Sequence, residues 1–203
     1  MDRNKKSIED ELVKLLAQRG FRNARGRPMT LPLNDEVAGW VGLDLSQRGR
    51  AFCAIPNVGL RHQGIEKLVS ELQGTPKSTF SSPTVSLGVG YLLPEKKHWE
   101  MLVETESELV AQLAIFERIV DEIVLPWFAA NASLRGIREL LNASPMRDLA
   151  WPRRLVAHDL LGEKLELLSE LGSAESFLGA RSDPYAEMLR RLIHGLRDRN
   201  APA

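Results

Sequence analysis

The residues whose types best suit chemistry are Asp44, Glu95 and Lys97. Many metal-dependent nucleases set one acid on a strand and an acid-x-lysine pair on the next. The carboxylates then hold a divalent ion while the lysine steadies the attacking water. Here Asp44 stands in an alternating stretch just before a polar turn, and Glu95-Lys96-Lys97 follows Pro94, where a turn is expected. The competing reading of these residues is a solvated charge run. Cys53 lies between Phe52 and Ala54, apolar company that raises a thiol pKa and marks a core cysteine rather than a nucleophile. His62, His98, His158 and His194 are scattered, with no pair at zinc-ligand or helical spacing. No glycine loop ends in Lys-Ser or Lys-Thr, no serine occupies a Gly-x-Ser-x-Gly elbow, and Gly88-x-Gly90 falls inside a strand pattern. Neither a cofactor nor a metal-ligand set is expected.

The arginines form the more suggestive pattern. Arg19, Arg22, Arg25 and Arg27 follow one another with no acid among them, Arg48 and Arg50 crown a turn, and Arg61-His62 precede a helix start. Backbone N–H groups at a helix start already favour anions. If these loops met at one end of a sheet, Arg22, Arg25, Arg27, Arg48, Arg50, Arg61 and His62 would make a basic surface for an acidic or phosphate-bearing partner.

The elements that must position these residues read as follows. A helix is expected from about Ile8 to Arg19, capped by Ser7 and closed by Gly20, with Ile8, Leu12, Leu15 and Leu16 as its apolar stripe. Alternation over Val37–Leu45, a polar turn at Ser46–Arg50 and a strand over Ala51–Ile55 predict a hairpin that Pro56 ends. Ile65, Leu68, Val69 and Leu72 mark a short helix closed by Gly74 and Pro76, and Lys77 to Pro83 reads as a polar loop. Thr84–Leu92 and Trp99–Val103 read as further strands, the two glycines of the first leaving room for a close neighbour. From Thr105 on, only helices are expected: one capped by the Thr105/Glu108 box and running to Pro126, then Leu134–Leu141, Pro152–Leu161 and Glu163–Leu171. A last one starts at Asp183-Pro184 and buries Tyr185, Met188, Leu189, Leu192, Ile193 and Leu196. The fold class is α+β: a small antiparallel sheet with helices in the N-terminal half, and an all-helical C-terminal half. The seam is expected near residue 104, dividing 1–104 from 105–203, or in the loop around Asn142 to Pro152, with one continuous domain as the alternative.

Composition narrows the function. The chain has 203 residues, 27 basic and 27 acidic side chains and a formal net charge of zero. Strong non-specific nucleic-acid binding normally rests on a basic excess that is missing here, so such a role would need a local patch. A single cysteine excludes an internal disulfide and suits a reducing compartment. Met1-Asp2-Arg3-Asn4-Lys5-Lys6 leads into an amphipathic stretch rather than an apolar one, unlike a signal peptide, and no run approaches a membrane span. A cytoplasmic protein is expected.

The stretch Leu12 to Leu16, the Gly20-Phe21-Arg22 step and the strands around Trp40 to Ile55 resemble a group of poorly characterised bacterial proteins, some of them immunity proteins to secreted toxins. Ile55-Pro56-Asn57-Val58-Gly59-Leu60-Arg61-His62 and Leu87-Gly88-Val89-Gly90-Tyr91-Leu92-Leu93-Pro94 are similar to phrases in other bacterial reading frames. The resemblance covers the first half, and the helical tail departs from it. It implies a non-enzymatic bacterial protein that works by binding another protein, in a toxin-immunity or phage-defence setting. The alternatives are a metal-dependent nuclease using Asp44, Glu95 and Lys97, or a nucleic-acid-binding component.

Overall fold

The computed structural model describes residues 2–22, 29–75, 82–145 and 147–201. Arg25 and Arg27, and most of the expected 77–83 loop, lie outside them. The fold is α+β, with the strands in the N-terminal half and helices filling the C-terminal half.

The chain forms two compact units, drawn differently from a cut at residue 104. One comprises Met1–Arg61 and Val85–Ala132, the other His62–Thr84 and Ser133–Ala203. The first holds helix α1 (Asp2–Ala17), strands β1 (Met29–Pro32), β2 (Val37–Arg48), β4 (Val85–Gly88) and β5 (Met101–Val103), and nearly all of β3 (Ala51–His62). It also holds α3 (Glu106–Ile119) and α4 (Leu125–Asn131). The second is helical: α2 (Gln63–Gln73), α5 (Leu134–Ala143), α6 (Arg147–Leu161), α7 (Lys164–Leu178) and α8 (Pro184–Arg199). The Ile65–Leu72 stretch therefore belongs to the helical unit, where α2 packs on α6 and α8.

In the first unit α1 starts at Asp2, so Ser7 lies inside the helix and does not cap it. Its end is as expected. Gly20 takes φ +83°, the Gly20 N–H donates to Ala17 and the Phe21 N–H to Leu16, which is the Schellman pairing that satisfies two orphan carbonyls. Ile8, Leu12, Leu15 and Leu16 are buried. The sheet runs β1-β2-β3-β4, with β5 also on β3. The hairpin turn is tighter than Ser46–Arg50: β2 continues to Arg48, and only Gly49 and Arg50 connect it to β3. Gly49 at φ +63° supplies the backbone that a two-residue turn needs.

Pro56 does not end β3, which continues to His62. Phe52, Cys53 and Ala54 pair with β5, while Asn57 to Leu60 pair with β4. Pro56 falls in the gap between those partners, where a missing N–H removes no ladder bond from that edge. The strand expected over Thr84–Leu92 stops at Gly88, and Val89–Leu92 turn into a 3-10 helix. The cause is a close crossing: a Cβ on Gly90 would lie 2.2 Å from the Lys97 carbonyl oxygen. The turn buries Val89 and leaves Tyr91 exposed, so the two do not share a face. The last strand is shorter than Trp99–Val103, covering Met101–Val103.

The Thr105/Glu108 capping box forms as expected. Pro126 does not stop the helix. Val120–Val124 form a π-helical segment between α3 and α4, with the Leu125 N–H donating to Val120. Proline has no N–H for the ordinary ladder, and the wider turn accommodates it. The extra residue shifts the apolar phase, so Val120, Val124 and Phe128 are buried while Ile123 is only half-buried. The Phe128 ring fills the space above Gly39, where a Cβ would lie 2.7 Å from it.

Arg19 ties α1 to this helical run. Its guanidinium donates to both Asp121 oxygens at 2.5 and 2.6 Å, and to Glu117 at 2.7 Å. The Arg19 hydrogen bonds hold the Asp121 carboxyl below its usual range. A depressed carboxyl stabilises the fold above its unfolded pKa of about 3.9, and that stabilisation disappears as pH falls through the lower folded value. Asp121→Asn is therefore expected to cost about 1 kcal/mol near neutrality, a modest figure because the carboxylate is half-exposed. The gap from wild type should close progressively below about pH 4, as measured by urea unfolding across pH. A gap that stayed constant down to strongly acid pH would contradict the pairing.

In the second unit His62 caps α2, its Nδ1 accepting from the Ile65 N–H at 3.4 Å, and Gly74 closes it in the left-handed conformation. Helix α6 begins before Pro152, which is accommodated inside it. α6 touches α2, α5, α7 and α8 and buries charge on several sides. Arg153 donates to Glu66 of α2 at 2.7 and 3.2 Å. Arg154, 4% exposed, binds Glu170 of α7 and Asn142. His158 meets Glu163 at 2.7 Å, and Asp159 accepts from Asn200 at 2.6 Å. The helix expected over Glu163–Leu171 extends to Leu178, and α8 takes its Asp183 cap, with Pro184 in its first turn, as expected.

Candidate functional site

Asp44 is exposed, and its carboxylate accepts from Asn57 Nδ2 at 2.8 Å. Glu95 and Lys97 are exposed in the turn after the 3-10 helix. No hydrogen bond or ion pair joins Asp44 to either of them among the described residues. Among those residues, too, no three His, Cys, Asp or Glu side chains are grouped where they could hold a metal ion. The acid–acid–lysine constellation does not assemble.

The described arginines do not gather either. Arg22 bridges Thr30, which pairs with Trp40 on β2. Arg48 lies eight residues further along β2, about 26 Å away at about 3.3 Å per residue. Arg61 stands ten residues along β3 from the hairpin turn, at the far end of that strand by about 33 Å. Arg61 is no loop residue: it is 6% exposed, and His62 is buried beside it. Arg48 and Arg50 alone remain together, at the exposed turn.

Arg48 has a local role. It donates to Glu100 Oε1 at 2.8 Å, while Cys53 Sγ donates to Glu100 Oε2 at 3.2 Å and His98 Nε2 lies 3.1 Å from the same oxygen. The hydrogen bond from His98, then that from Cys53, holds the Glu100 carboxyl below its ordinary value. Burial first, and then Glu100, pushes the Cys53 thiol up. A thiol that donates to a carboxylate and is fully buried is poorly placed to attack anything. The cluster ties β2, β3 and the entry to β5.

The other face of the same strands carries a concave surface. Phe52 and Val103 are opposite each other in the β3/β5 pairing. With Ile8 of α1 and Leu109 of α3 they floor a cleft of about 520 Å³. Glu11, Glu104 and Glu106 stand among its lining residues, and among the described residues no basic side chain does. Glu11 also meets the exposed Lys14 at 2.5 Å. Acids at the start of α3 suit the positive end of the helix dipole, and Glu108 is occupied by the capping box. That explanation leaves the apolar side chains beside them unaccounted for. Val110, also lining the cleft, is 64% exposed. The helical unit has its own open apolar positions on α7, where Leu165 is 80% and Leu168 61% exposed.

No family model, curated protein or solved structure matches this chain. Among the described residues no helix is long and apolar enough to cross a membrane.

The cleft was not visible in the sequence. Its one local sign is Val110, an apolar residue one place beyond the stripe through Leu109, Leu113 and Phe116. Nothing local brings Phe52 against Val103.

Proposed function

We propose that the protein is a non-enzymatic interaction module that binds another protein through the cleft between α1 and α3. The observation that carries this reading is the cleft itself, floored by the nearly buried Phe52, Val103 and Leu109 and rimmed by the exposed Val110. A side chain that fills the cleft and covers Val110 is withdrawn from water together with it, which is favourable, and the cleft's size falls within the range of ligand-binding clefts. A bacterial cytoplasmic setting, and a part in toxin immunity or phage defence, belong to the same proposal through the resemblance of the first half of the chain.

The test places a photo-crosslinking amino acid at position 110 and, as control, at the exposed position 18 of the full chain in its native host. A discrete protein adduct formed from position 110 and absent from position 18 is the expected result. Equal labelling from both positions, or none from position 110, would remove the cleft as a protein-binding surface.

A further inference from the structure

We infer that the occupant of this cleft is a basic amphipathic segment of the partner, placing an apolar side chain on the Phe52–Val103 floor and lysine or arginine side chains against Glu104 and Glu106. This rests on the reading of the cleft as a protein-binding surface and adds the chemistry of the bound segment.

The charge pattern selects the partner. Among the described residues three carboxylates line the cleft and no basic side chain does, while Lys14 pairs with Glu11. Glu104 and Glu106 enter no ion pair among the described residues, and both are exposed at its edge. An acidic or phosphate-bearing segment would bring like charges together at the cleft, which opposes binding. A basic one gains attraction there and buries the same apolar area. Val110 and Leu113 lie one helical turn apart on α3 and both line the cleft. A docked helix with apolar positions at helical spacing would meet both. The expected partner charge is thus the reverse of the one suggested by the arginines in the sequence.

The experiment uses the full-length, 15N-labelled chain and two synthetic helical peptides of equal length, with leucine on one face and either lysine or glutamate on the other. The leucine–lysine peptide should shift the amide signals of Phe52 and of the Val103–Leu113 stretch, and the leucine–glutamate peptide should not. Glu104→Gln with Glu106→Gln should weaken the leucine–lysine peptide about tenfold, and Val110→Asn should weaken it through the lost apolar contact without adding charge at so exposed a position. Each variant is checked by its own amide spectrum. Equal affinity for both peptides, or affinity unchanged in the double variant, would overturn the basic occupant while leaving a binding cleft. Shifts outside the cleft, or none at millimolar peptide, would remove both readings.

Discussion

Phe128→Ala is expected to cost about 3–5 kcal/mol of folding free energy. The ring is fully buried, 6.2 Å from the Phe21 ring and 5.6 Å from that of Trp127. It rests directly on the backbone at Gly39. Truncation removes the transfer free energy of the ring and leaves a cavity. The strand below cannot fill it, because Gly39 has no side chain to move into it. The converse change, Gly39→Ala, forces a Cβ to within 2.7 Å of the ring, and overpacking of this kind costs about 1–3 kcal/mol. Because both residues report on one contact, the pair should not be additive. Gly39→Ala should cost less in the Phe128→Ala background than alone. Urea unfolding of the four proteins checks this; strict additivity would mean that the ring does not sit on that glycine.

The second large effect is expected at Glu170. Its partner Arg154 is almost wholly buried, its guanidinium 4.9 Å above the centre of the Trp151 ring, with Asn142 as the other hydrogen-bond partner. Glu170→Ala strands that charge inside the helical unit, where the cost is about 3–5 kcal/mol. The loss reflects an uncompensated cation more than the worth of the pair. Removing both charges together should therefore be far milder. Arg154→Met with Glu170→Leu is expected within about 1 kcal/mol of wild type, measured by thermal or urea unfolding. A double variant as unstable as the single one would show that Arg154 supports the fold through its other contacts instead.

What could be read along the chain was whatever a residue and its nearest neighbours decide together. Gly20 and Gly74 close helices because each supplies a positive φ. Thr105, Glu108 and Asp183 open helices because their side chains satisfy backbone groups within three or four residues. Apolar spacing identified the buried stripe of α1, the Leu189, Leu192, Ile193 and Leu196 face of α8, where Tyr185 and Met188 are only half-buried, and the α+β class, since burial follows from period. The prolines show where that reasoning ends. Pro56 and Pro126 each signal a stop locally, and Pro152 a helix start. Yet Pro56 finds a gap between two partner strands, Pro126 follows a π-helical segment, and Pro152 sits in a helix surrounded by four others.

Tertiary structure alone decided the rest. The cross-strand pair Phe52–Val103, the ring of Phe128 over Gly39 and the pairing of Arg153 with Glu66 join residues fifty to ninety positions apart. No helical or strand period reaches that far. The same distance governs the site. The arginines look like one patch in the sequence because they precede or follow turns, but strand length carries Arg48 and Arg61 to opposite ends of the hairpin. Glu104 and Glu106 look like ordinary helix-start acids. They become part of a candidate site only because β5 and α1 bring an apolar floor beside them.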